Sequence, residues 1–519
     1  MARSLVTPTK AILALLAMLA GLILCSSIAI LNVEPWRASA DNLPVIALPE
    51  TATPDLSPTE LAFLPPTSGP DEPVYTPTPD PPHKLPKLRI KSEKYVVQAG
   101  DTLNKIAQHY GVSVQEIAEK NALASIDYLE IGQVLTIPPP EPGSTGPSFK
   151  VIPDSELVYS PSSVGFDIAA FVETQNGYLA KYREDVDGQD MSGAQIVERV
   201  AKEFSVNPRL LLAALEYQSG WVTKQKPDKE TRKEPIGLYD DWHIGLYKQL
   251  SWAADNLNYG FYLWQVNGLA AWSLADGEVV PISTTINAGT AGVQHFFSLL
   301  YEREDWQRAV TDQGLFSTYT ALFGDPFKFT VEPLVPTDLE QPAMQLPFEQ
   351  GERWSFTGGP HGGFGNGSAW AALDFAPPGD SFGCVPSDAW VVAVADGVIV
   401  RSENGEVVQD LDGDGLEQTG WSVLYMHIET RGRVQLGTYL QAGDRVGHPS
   451  CEGGVSNGTH VHLARRYNGE WIAADQSLPF DLDGWISSGN GNESDGYLQK
   501  NGRTVEAWEG RASINEIKR

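Results

Sequence analysis

The sequence predicts a multidomain α+β protein with four structured parts: an N-terminal transmembrane helix, a small βααβ module, a mainly helical module and a mainly antiparallel-β module. Three observations predict this class. The chain has 519 residues, which allows two to four domains. An uncharged apolar run lies near the N-terminus, and proline-rich stretches divide the rest. Between those stretches, the spacing of hydrophobic residues changes along the chain. It is typical of both strands and helices in the first segment, of helices in the second and of strands in the third.

Composition excludes several classes of protein. The chain carries 37 Lys and Arg against 66 Asp and Glu, which gives a net charge of −29. Such an acidic excess repels a phosphate backbone, so it argues against nucleic acid as a partner. Only three Cys are present, too few for a Cys-rich zinc finger or a dense disulfide scaffold. Any metal site must therefore use His and carboxylate ligands.

The N-terminal segment predicts export. Residues 11–31 are 21 consecutive uncharged residues, and as a helix they span roughly 30 Å of hydrocarbon. Lys10 precedes this run and Glu34 follows it, so the positive-inside rule places the N-terminus in the cytoplasm and the remainder outside. We expect residues 1–40 to be a cytoplasmic stub with a retained membrane anchor. The alternative is a signal peptide that is cleaved after Ala40.

Proline-rich stretches indicate the module boundaries. Residues 41–90 contain 13 of the 37 prolines, so 41–93 is predicted to be an extended linker. Two further proline-rich stretches lie at 138–149 and about 332–347. They separate an N-terminal module (94–138), a middle module (155–330) and a C-terminal module (348–488), which a polar tail (489–519) follows.

The N-terminal module has the predicted order β-α-α-β. Tyr95-Val96-Val97 is a short β run, apolar residues then recur at helical spacing from Thr102, and Ser113 to Glu116 form a capping box. A strand-like run returns before Pro138. With Gly100-Asp101-Thr102-Leu103 and Ile131-Gly132-Gln133 included, the segment closely resembles the LysM module.

The LysM resemblance implies binding of N-acetylglucosamine-containing glycan from peptidoglycan or chitin. It also implies glycan contacts at Gly100, Asp101, Thr102 and Asn121. Three of these residues have structural alternatives, since Asp101 and Thr102 suit helix caps and Gly100 suits a turn.

The middle module is predicted to be mainly helical. Asn207-Pro208 is a typical helix start, and residues 214–221, Ala-Leu-Glu-Tyr-Gln-Ser-Gly-Trp, resemble the lysozyme-like fold of soluble lytic transglycosylases. In that family a Glu directly before the Ser-Gly pair is the general acid, but this chain has Gln218 there. An amide has no proton to donate at physiological pH, so we expect a non-catalytic, glycan-holding module.

The C-terminal module contains most of the chemistry-bearing residues. His460 and His462 lie two residues apart in a strand-like run, so both side chains are expected on one face of a sheet. His361, Asp374 and His427 lie upstream near further strand-like runs. Catalytic zinc takes three N or O ligands and keeps one position for water, so this set suits a zinc site with two additional working histidines.

These residues resemble the lysostaphin-type (LytM-like) zinc endopeptidases, which cut peptide cross-links of bacterial cell walls. The resemblance implies that His361, Asp374 and His462 hold Zn²⁺. It implies that His427 and His460 orient and deprotonate the attacking water and stabilise the oxyanion. One departure from the family is a glycine-rich stretch of 12 residues between His361 and Asp374, where the family often has only a few.

Two weaker features lie in the same module. Cys384 and Cys451 are the exported thiols, so an oxidising compartment favours a disulfide between them. The run from Asp410 to Gly415 fits the first half of a calcium loop, although Trp421 occupies the position of the usual bidentate Glu. The alternative for this run is an acidic hairpin turn.

Together these patterns predict a cell-surface peptidoglycan hydrolase, anchored in the membrane, bound to glycan and cleaving peptide cross-links with zinc-activated water. The alternative is a catalytically silent wall-binding regulator that recruits another hydrolase. A third possibility, a secreted peptidase for glycine-rich proteins, shares the site but leaves the LysM-like module unexplained.

Overall fold

The computed structural model describes residues 91–139, except 99, 100, 111, 124 and 127, and residues 145–519, except 380–382. The described residues fall into two compact units, 91–139 and 145–519. The predicted anchor at 11–31 and most of the predicted linker lie outside the described residues. Within the described ranges, no helix is long and apolar enough to cross a membrane.

The N-terminal module has the predicted β-α-α-β order. Strands β1 and β2 pair antiparallel from Glu93↔Ile137 to Val96↔Val134, and both helices pack on them. The predicted capping box is confirmed, because the Ser113 side chain accepts from the Glu116 amide and the Glu116 side chain accepts from the Ser113 amide. The elements are β1 (Glu93–Val96), α1 (Leu103–Tyr110), α2 (Val114–Asn121) and β2 (Val134–Ile137).

The middle module is mainly helical, as predicted. Asn207 caps the Arg209 amide and Pro208 begins the helix, whose residues from Pro208 to Leu215 are all buried. The helices are α3 (Asp154–Leu157), α4 (Ile168–Gln175), α5 (Gly193–Phe204), α6 (Pro208–Ser219), α7 (Leu246–Gln265), α8 (Ala288–Ser298), α9 (Arg303–Ala309) and α10 (Leu315–Phe323). Two short hairpins complete it, β3 (Arg183–Val186) with β4 (Gln189–Ser192) and β5 (Ala271–Ser273) with β6 (Val279–Pro281).

The C-terminal module is built on antiparallel sheets, as predicted. Among the described residues, the main sheet has nine strands in the order β13-β10-β11-β12-β15-β8-β7-β21, with β16 paired to β15. Its strands are β7 (Arg353–His361), β8 (Ala372–Ala376), β10 (Gly397–Glu403), β11 (Glu406–Asp410), β12 (Trp421–Met426), β13 (Tyr439–Leu440), β15 (Val461–Tyr467), β16 (Glu470–Trp471) and β21 (Glu516–Lys518). The smaller sheets are β9 (Val391–Val392) with β14 (Arg445–Gly447), and β17 (Asp481–Leu482), β18 (Trp485–Ser488), β19 (Tyr497–Lys500) and β20 (Arg503–Glu506).

The two faces of the main sheet belong to different hydrophobic cores. Because strand side chains alternate, Leu463 points into the core of the C-terminal module, whereas Ala464 lies in one core with the helices of the middle module. Leu424 on β12 and Trp471 on β16 join this shared core. The middle and C-terminal modules are therefore one compact unit.

The predicted boundary stretch 332–347 joins the two modules, with Leu334 buried in one core and Leu346 in the other. The structure differs from the expected bounds at the C-terminus. Residues 489–519 do not form a polar tail. They contribute β19, β20 and β21, and Ile517 of β21 is fully buried opposite Trp354 of β7. These strands were not predicted, because they are short, bury few residues on one face and lie in a polar, glycine-rich segment.

Candidate metal centre

Four neighbouring strands bring five predicted residues together. His462 on β15 lies directly opposite Asp374 on β8 and opposite Met426, the last residue of β12 before His427. His361 ends β7, which pairs with β8, and His460 immediately precedes β15. The alternation predicted for His460 and His462 follows from β15, so both rings occupy the same face.

Three of these side chains present donor atoms at metal-site spacing. His361 Nε2 lies 2.9 Å from His462 Nδ1 and 3.3 Å from Asp374 Oδ1, and His462 Nδ1 lies 3.2 Å from the same oxygen. Tetrahedral zinc with bonds of about 2.1 Å separates its ligand atoms by about 3.4 Å. Moreover, the buried Asp374 Oδ1 accepts no well-formed hydrogen bond. The donor set of two imidazoles and one carboxylate therefore fits Zn²⁺, with His361 included despite the 12 intervening residues.

Backbone carbonyls fix the tautomers of His361 and His462. The Nδ1 of His361 lies 2.7 Å from the Gly359 carbonyl, and the Nε2 of His462 lies 2.9 Å from the Gly363 carbonyl. A neutral imidazole that donates from one nitrogen keeps a lone pair on the other. His361 Nε2 and His462 Nδ1 are thus left to bind the metal, an orientation that supporting hydrogen bonds commonly impose on metal-binding histidines.

The charges of the cluster favour a cation between these residues. Burial raises the pKa of Asp374, but His361 and His460 outweigh it and hold that pKa well below its usual range. Burial lowers the pKa of His361, yet Asp374, the Gly359 carbonyl and Glu493 together raise it to about 9. Without a metal, His361 therefore carries a proton where the cation would bind.

His427 and His460 lie beside these three residues. Their ring centroids are 4.5 Å apart, and His460 Nε2 is 3.6 Å from Asp374 Oδ2. Each Nδ1 faces a backbone carbonyl, Gly458 at 2.7 Å for His460 and Glu452 at 3.1 Å for His427. Both Nε2 atoms are therefore proton acceptors in the neutral rings.

His427 is held in an unusual state. Burial, followed by the neighbouring His460 and His462, lowers its pKa to about 3, so its ring is neutral at physiological pH. Its backbone has φ +64°, a left-handed conformation that non-glycine residues adopt at a cost of about 1 kcal/mol or more. The amide and hydroxyl of Ser450 both donate to the His427 carbonyl and hold it there.

A disulfide supports the same corner of the site. The structure joins Cys384 and Cys451, whose Cα atoms are 5.7 Å apart. Cys451 is adjacent to Glu452, whose carbonyl orients the His427 ring. The bridge therefore braces the segment that positions His427.

Other predicted residues lie elsewhere in the chain. In the middle module, Gln218 accepts a hydrogen bond from Tyr301, and its Nε2 is buried without a hydrogen-bond partner. Glu216 on the same helix accepts from the Val222 and Thr223 amides, so its carboxylate binds the backbone that follows the helix.

In the N-terminal module, the predicted glycan contacts are partly occupied by structural hydrogen bonds. Asp101 accepts from the Tyr95 hydroxyl, and Thr102 caps α1 by accepting from the Lys105 amide. Asn121 binds the backbone of Thr136 through both its amide and its carbonyl, so it braces α2 against β2. Gly100 lies outside the described residues.

The acidic turn brings Asp410, Asp412 and Asp414 together, with one ligand oxygen of each within 4.8 Å of the others. Amides within the turn already donate to Asp410, among them Gly415 N at 2.8 Å. The turn joins β11 to β12, and both interpretations of it, a calcium loop and an acidic hairpin turn, stay predictions.

Sequence reasoning missed the groups that support the site. Gly359, Gly363 and Glu452 act through backbone carbonyls, which have no side-chain signature. Glu493, from the segment expected to be a tail, acts on His361 by its charge. The sequence feature that pointed most clearly to such backbone contacts was the glycine-rich stretch that follows His361.

Each of the three modules matches the model of a known protein family. The LysM domain model matches residues 95–138, the LasA N-terminal domain model matches 150–337, and the peptidase family M23 model matches 381–474. The last match includes His427, His460 and His462, whereas His361 and Asp374 precede it. The middle module, which the sequence likened to transglycosylases, is matched by the LasA N-terminal domain.

Individual relatives agree with this assignment. Protease LasA from Pseudomonas aeruginosa is 26% identical over 349 residues, which cover 62% of this chain and 74% of the relative. Protease LasA from a second strain of that species is 25% identical over 346 residues, with the same coverage. Among solved structures, the M23 metalloprotease pseudoalterin is 27% identical, with a TM-score of 0.27 and coverage of 32% of this chain and 96% of that one. The chain therefore contains a LysM domain, a LasA N-terminal domain and a peptidase family M23 domain, and it is homologous to Protease LasA and the M23 metallopeptidases.

Proposed function

We propose that the protein is a peptidoglycan hydrolase that cuts peptide cross-links with zinc-activated water and is targeted to the wall by its LysM domain. The observation that carries the proposal is the cluster of three donor atoms from His361, Asp374 and His462 with His427 and His460 beside it. An M23 domain combined with a LysM domain supports the wall as the substrate.

The roles of the residues follow from their hydrogen bonds. His361, Asp374 and His462 would hold Zn²⁺, which when bound acts as a Lewis acid that acidifies water and polarises the scissile carbonyl. His460 accepts the proton of the attacking water at Nε2, and Asp374 Oδ2 at 3.6 Å stabilises the resulting imidazolium. The protonated ring then donates to the oxyanion or to the leaving amine.

His427 has a different role in this proposal. Its lowered pKa makes it a poor proton carrier, but its neutral Nε2 accepts a hydrogen bond from the water and so orients it. The middle module takes no part in glycan cleavage, because Gln218 has no proton to donate and its carbonyl is engaged by Tyr301.

Location at the cell surface is part of the proposal. The apolar run at 11–31 would anchor the chain in the membrane or, if it is cleaved after Ala40, would release the protein outside. Either way, glycan binding by the LysM domain raises the local concentration of the peptidase at the wall.

The test is digestion of purified peptidoglycan by the full chain, with released fragments identified by mass spectrometry. We expect chelator-sensitive peptide cleavage without anhydromuramyl ends, and restoration by added Zn²⁺. His460→Ala should lower the rate of release by roughly 10²- to 10⁴-fold, whereas His243→Ala, in an exposed loop of the middle module, should leave it unchanged. No release by a zinc-loaded wild type would instead favour the silent wall-binding regulator.

A further inference from the structure

The segment between two of the metal-binding residues folds into a closed loop. We define the glycine-rich loop as residues 362–369. Its base is closed by the Gly363 amide, which donates to the Ala369 carbonyl at 3.0 Å, and the Phe364 amide donates to Ser368 Oγ at 3.1 Å. The Gly363 carbonyl is the group that fixes the His462 tautomer. The position of this loop therefore controls a metal ligand.

The outer end of the loop is held by the LasA N-terminal domain. Asp255 on α7 accepts a hydrogen bond from the Gly367 amide at 2.8 Å. The Phe204 ring, at the end of α5, packs edge-on against Phe364 with 4.9 Å between centroids. Burial raises the pKa of Asp255 to about 6, and at neutral pH the carboxylate makes a charge-assisted hydrogen bond with the loop.

The loop is glycine-rich because it lies too close to Asp255 to leave room for side chains. A Cβ on Gly367 would lie 1.8 Å from the Asp255 carbonyl oxygen, and one on Gly365 would lie 2.3 Å from Asp255 Oδ1. Gly365 also has φ +69°, a conformation that favours glycine. The insertion between His361 and Asp374 thus fits the surface of α7.

A second contact links the base of the loop to the same helix. A Cβ on Gly363 would lie 2.5 Å from the Trp471 ring, so the loop rests directly on that side chain. The Trp471 amide donates to the Tyr262 hydroxyl at 2.9 Å, and Tyr262 is also on α7. Both ends of the loop therefore depend on α7.

We propose that Asp255 is a positioning residue for the metal centre: by holding Gly367 it keeps the Gly363 carbonyl in place, and so keeps His462 ready to bind the metal. This makes the LasA N-terminal domain a working part of the peptidase site. The proposal rests on the proposed function only in that the site holds zinc.

The test measures zinc affinity of the full chain by competition with a chromogenic chelator, without any substrate. Asp255→Ala should weaken zinc binding about tenfold, which is the lower end of the range for losing a group that supports a metal ligand. Asp255→Asn keeps an acceptor for Gly367 and should bind zinc nearly as the wild type does. Asp312→Ala, at an exposed position of the same domain, is the matched control.

Further measurements separate positioning from general destabilisation. Hydrogen exchange of residues 362–369 should rise in Asp255→Ala, and excess Zn²⁺ should restore its kcat with KM unchanged. If Asp255→Ala does not fold, Asp255→Glu keeps the charge but displaces the carboxylate, and it too should lose zinc affinity. Zinc affinity unchanged in folded Asp255→Ala or Asp255→Glu, or lost equally in Asp255→Asn, would overturn the proposal. A wild type that binds no zinc would overturn it together with the proposed function.

Discussion

In the proposed function, a single backbone contact gives His460 and His462 different chemical roles. Both rings lie on one face of β15, but His462 turns Nε2 to the Gly363 carbonyl and His460 turns Nδ1 to the Gly458 carbonyl. The first arrangement leaves Nδ1 for the metal, and the second leaves Nε2 beside Asp374 as a proton acceptor. The proposed ligand and the proposed base therefore differ in tautomer more than in position.

We predict that single substitutions separate these two roles. His462→Ala removes one of three ligands, so zinc stoichiometry of the purified chain should fall toward zero together with activity. His460→Ala should retain about one zinc per chain while kcat falls by roughly 10²- to 10⁴-fold, the range for loss of a general base. Metal analysis and wall-digestion rates check both, with His243→Ala as the control. Equal loss of zinc in both variants would contradict the assignment.

At the scale of elements, the strands of the site were predictable and the loops around it were not. The period-two spacing of His460 and His462 predicted their shared face, because the register of β15 leaves no other arrangement. His361 was harder to place, since the pairing of β7 with β8 that brings it near Asp374 spans an irregular loop, and the sequence does not reveal that register. The supporting carbonyls of Gly359, Gly363 and Glu452 were unpredictable, because any residue type offers that group.

The disulfide between the loops containing Cys384 and Cys451 should matter for both stability and catalysis. It closes a segment with a sequence separation of 67 residues, for which loop entropy gives about 4 kcal/mol of stabilisation. Replacing both cysteines with alanine should lower the free energy of unfolding by up to that amount in guanidinium titrations. It should also lower kcat, because the Glu452 carbonyl that orients His427 loses its support.

The double replacement isolates the bridge from effects of reductants on the metal. Cys25 remains in the variant, so the comparison concerns the Cys384–Cys451 pair alone. An unchanged unfolding midpoint with reduced activity would show that the bridge positions the Glu452 carbonyl but does not stabilise the fold. Unchanged stability and unchanged kcat would refute both parts of the prediction.

For the whole molecule, the shared core explains why the middle and C-terminal modules form one unit. The helical order of the first and the antiparallel sheet of the second were predicted separately, from spacing within each segment. Their association was not, because it depends on small residues such as Ala372 and Ala464 that allow helices to approach one sheet face. Sequence periodicity indicates that a face is buried but does not identify its partner.

Two carboxylates at this shared interface predict a specific dependence on pH. Glu470 on β16 accepts a hydrogen bond from Gln265 on α7 at 3.0 Å, and burial raises its pKa to about 7. Asp255, at the other end of the contact, has its pKa raised to about 6 by burial. In this window the folded state binds more protons than the unfolded state, so these groups make stability fall as pH rises from about 4 to 7.

Buried histidines make stability rise with pH instead. Burial lowers the pKa of His295 to about 4, so between that value and the pKa of an exposed histidine the unfolded chain binds more protons than the folded one. The contribution of Glu470 is therefore seen in the stability difference between the wild type and a variant of that residue alone. Glu470→Gln mimics the protonated carboxyl, so it should match the wild type near pH 5 and exceed it near pH 8 by up to about 3 kcal/mol, following 1.36 kcal/mol per pKa unit. Urea titrations at both pH values, with zinc held constant, measure this difference. A stability difference that does not change with pH would show that Glu470 is ionised in the folded state already near pH 5, and that the interface tolerates its charge.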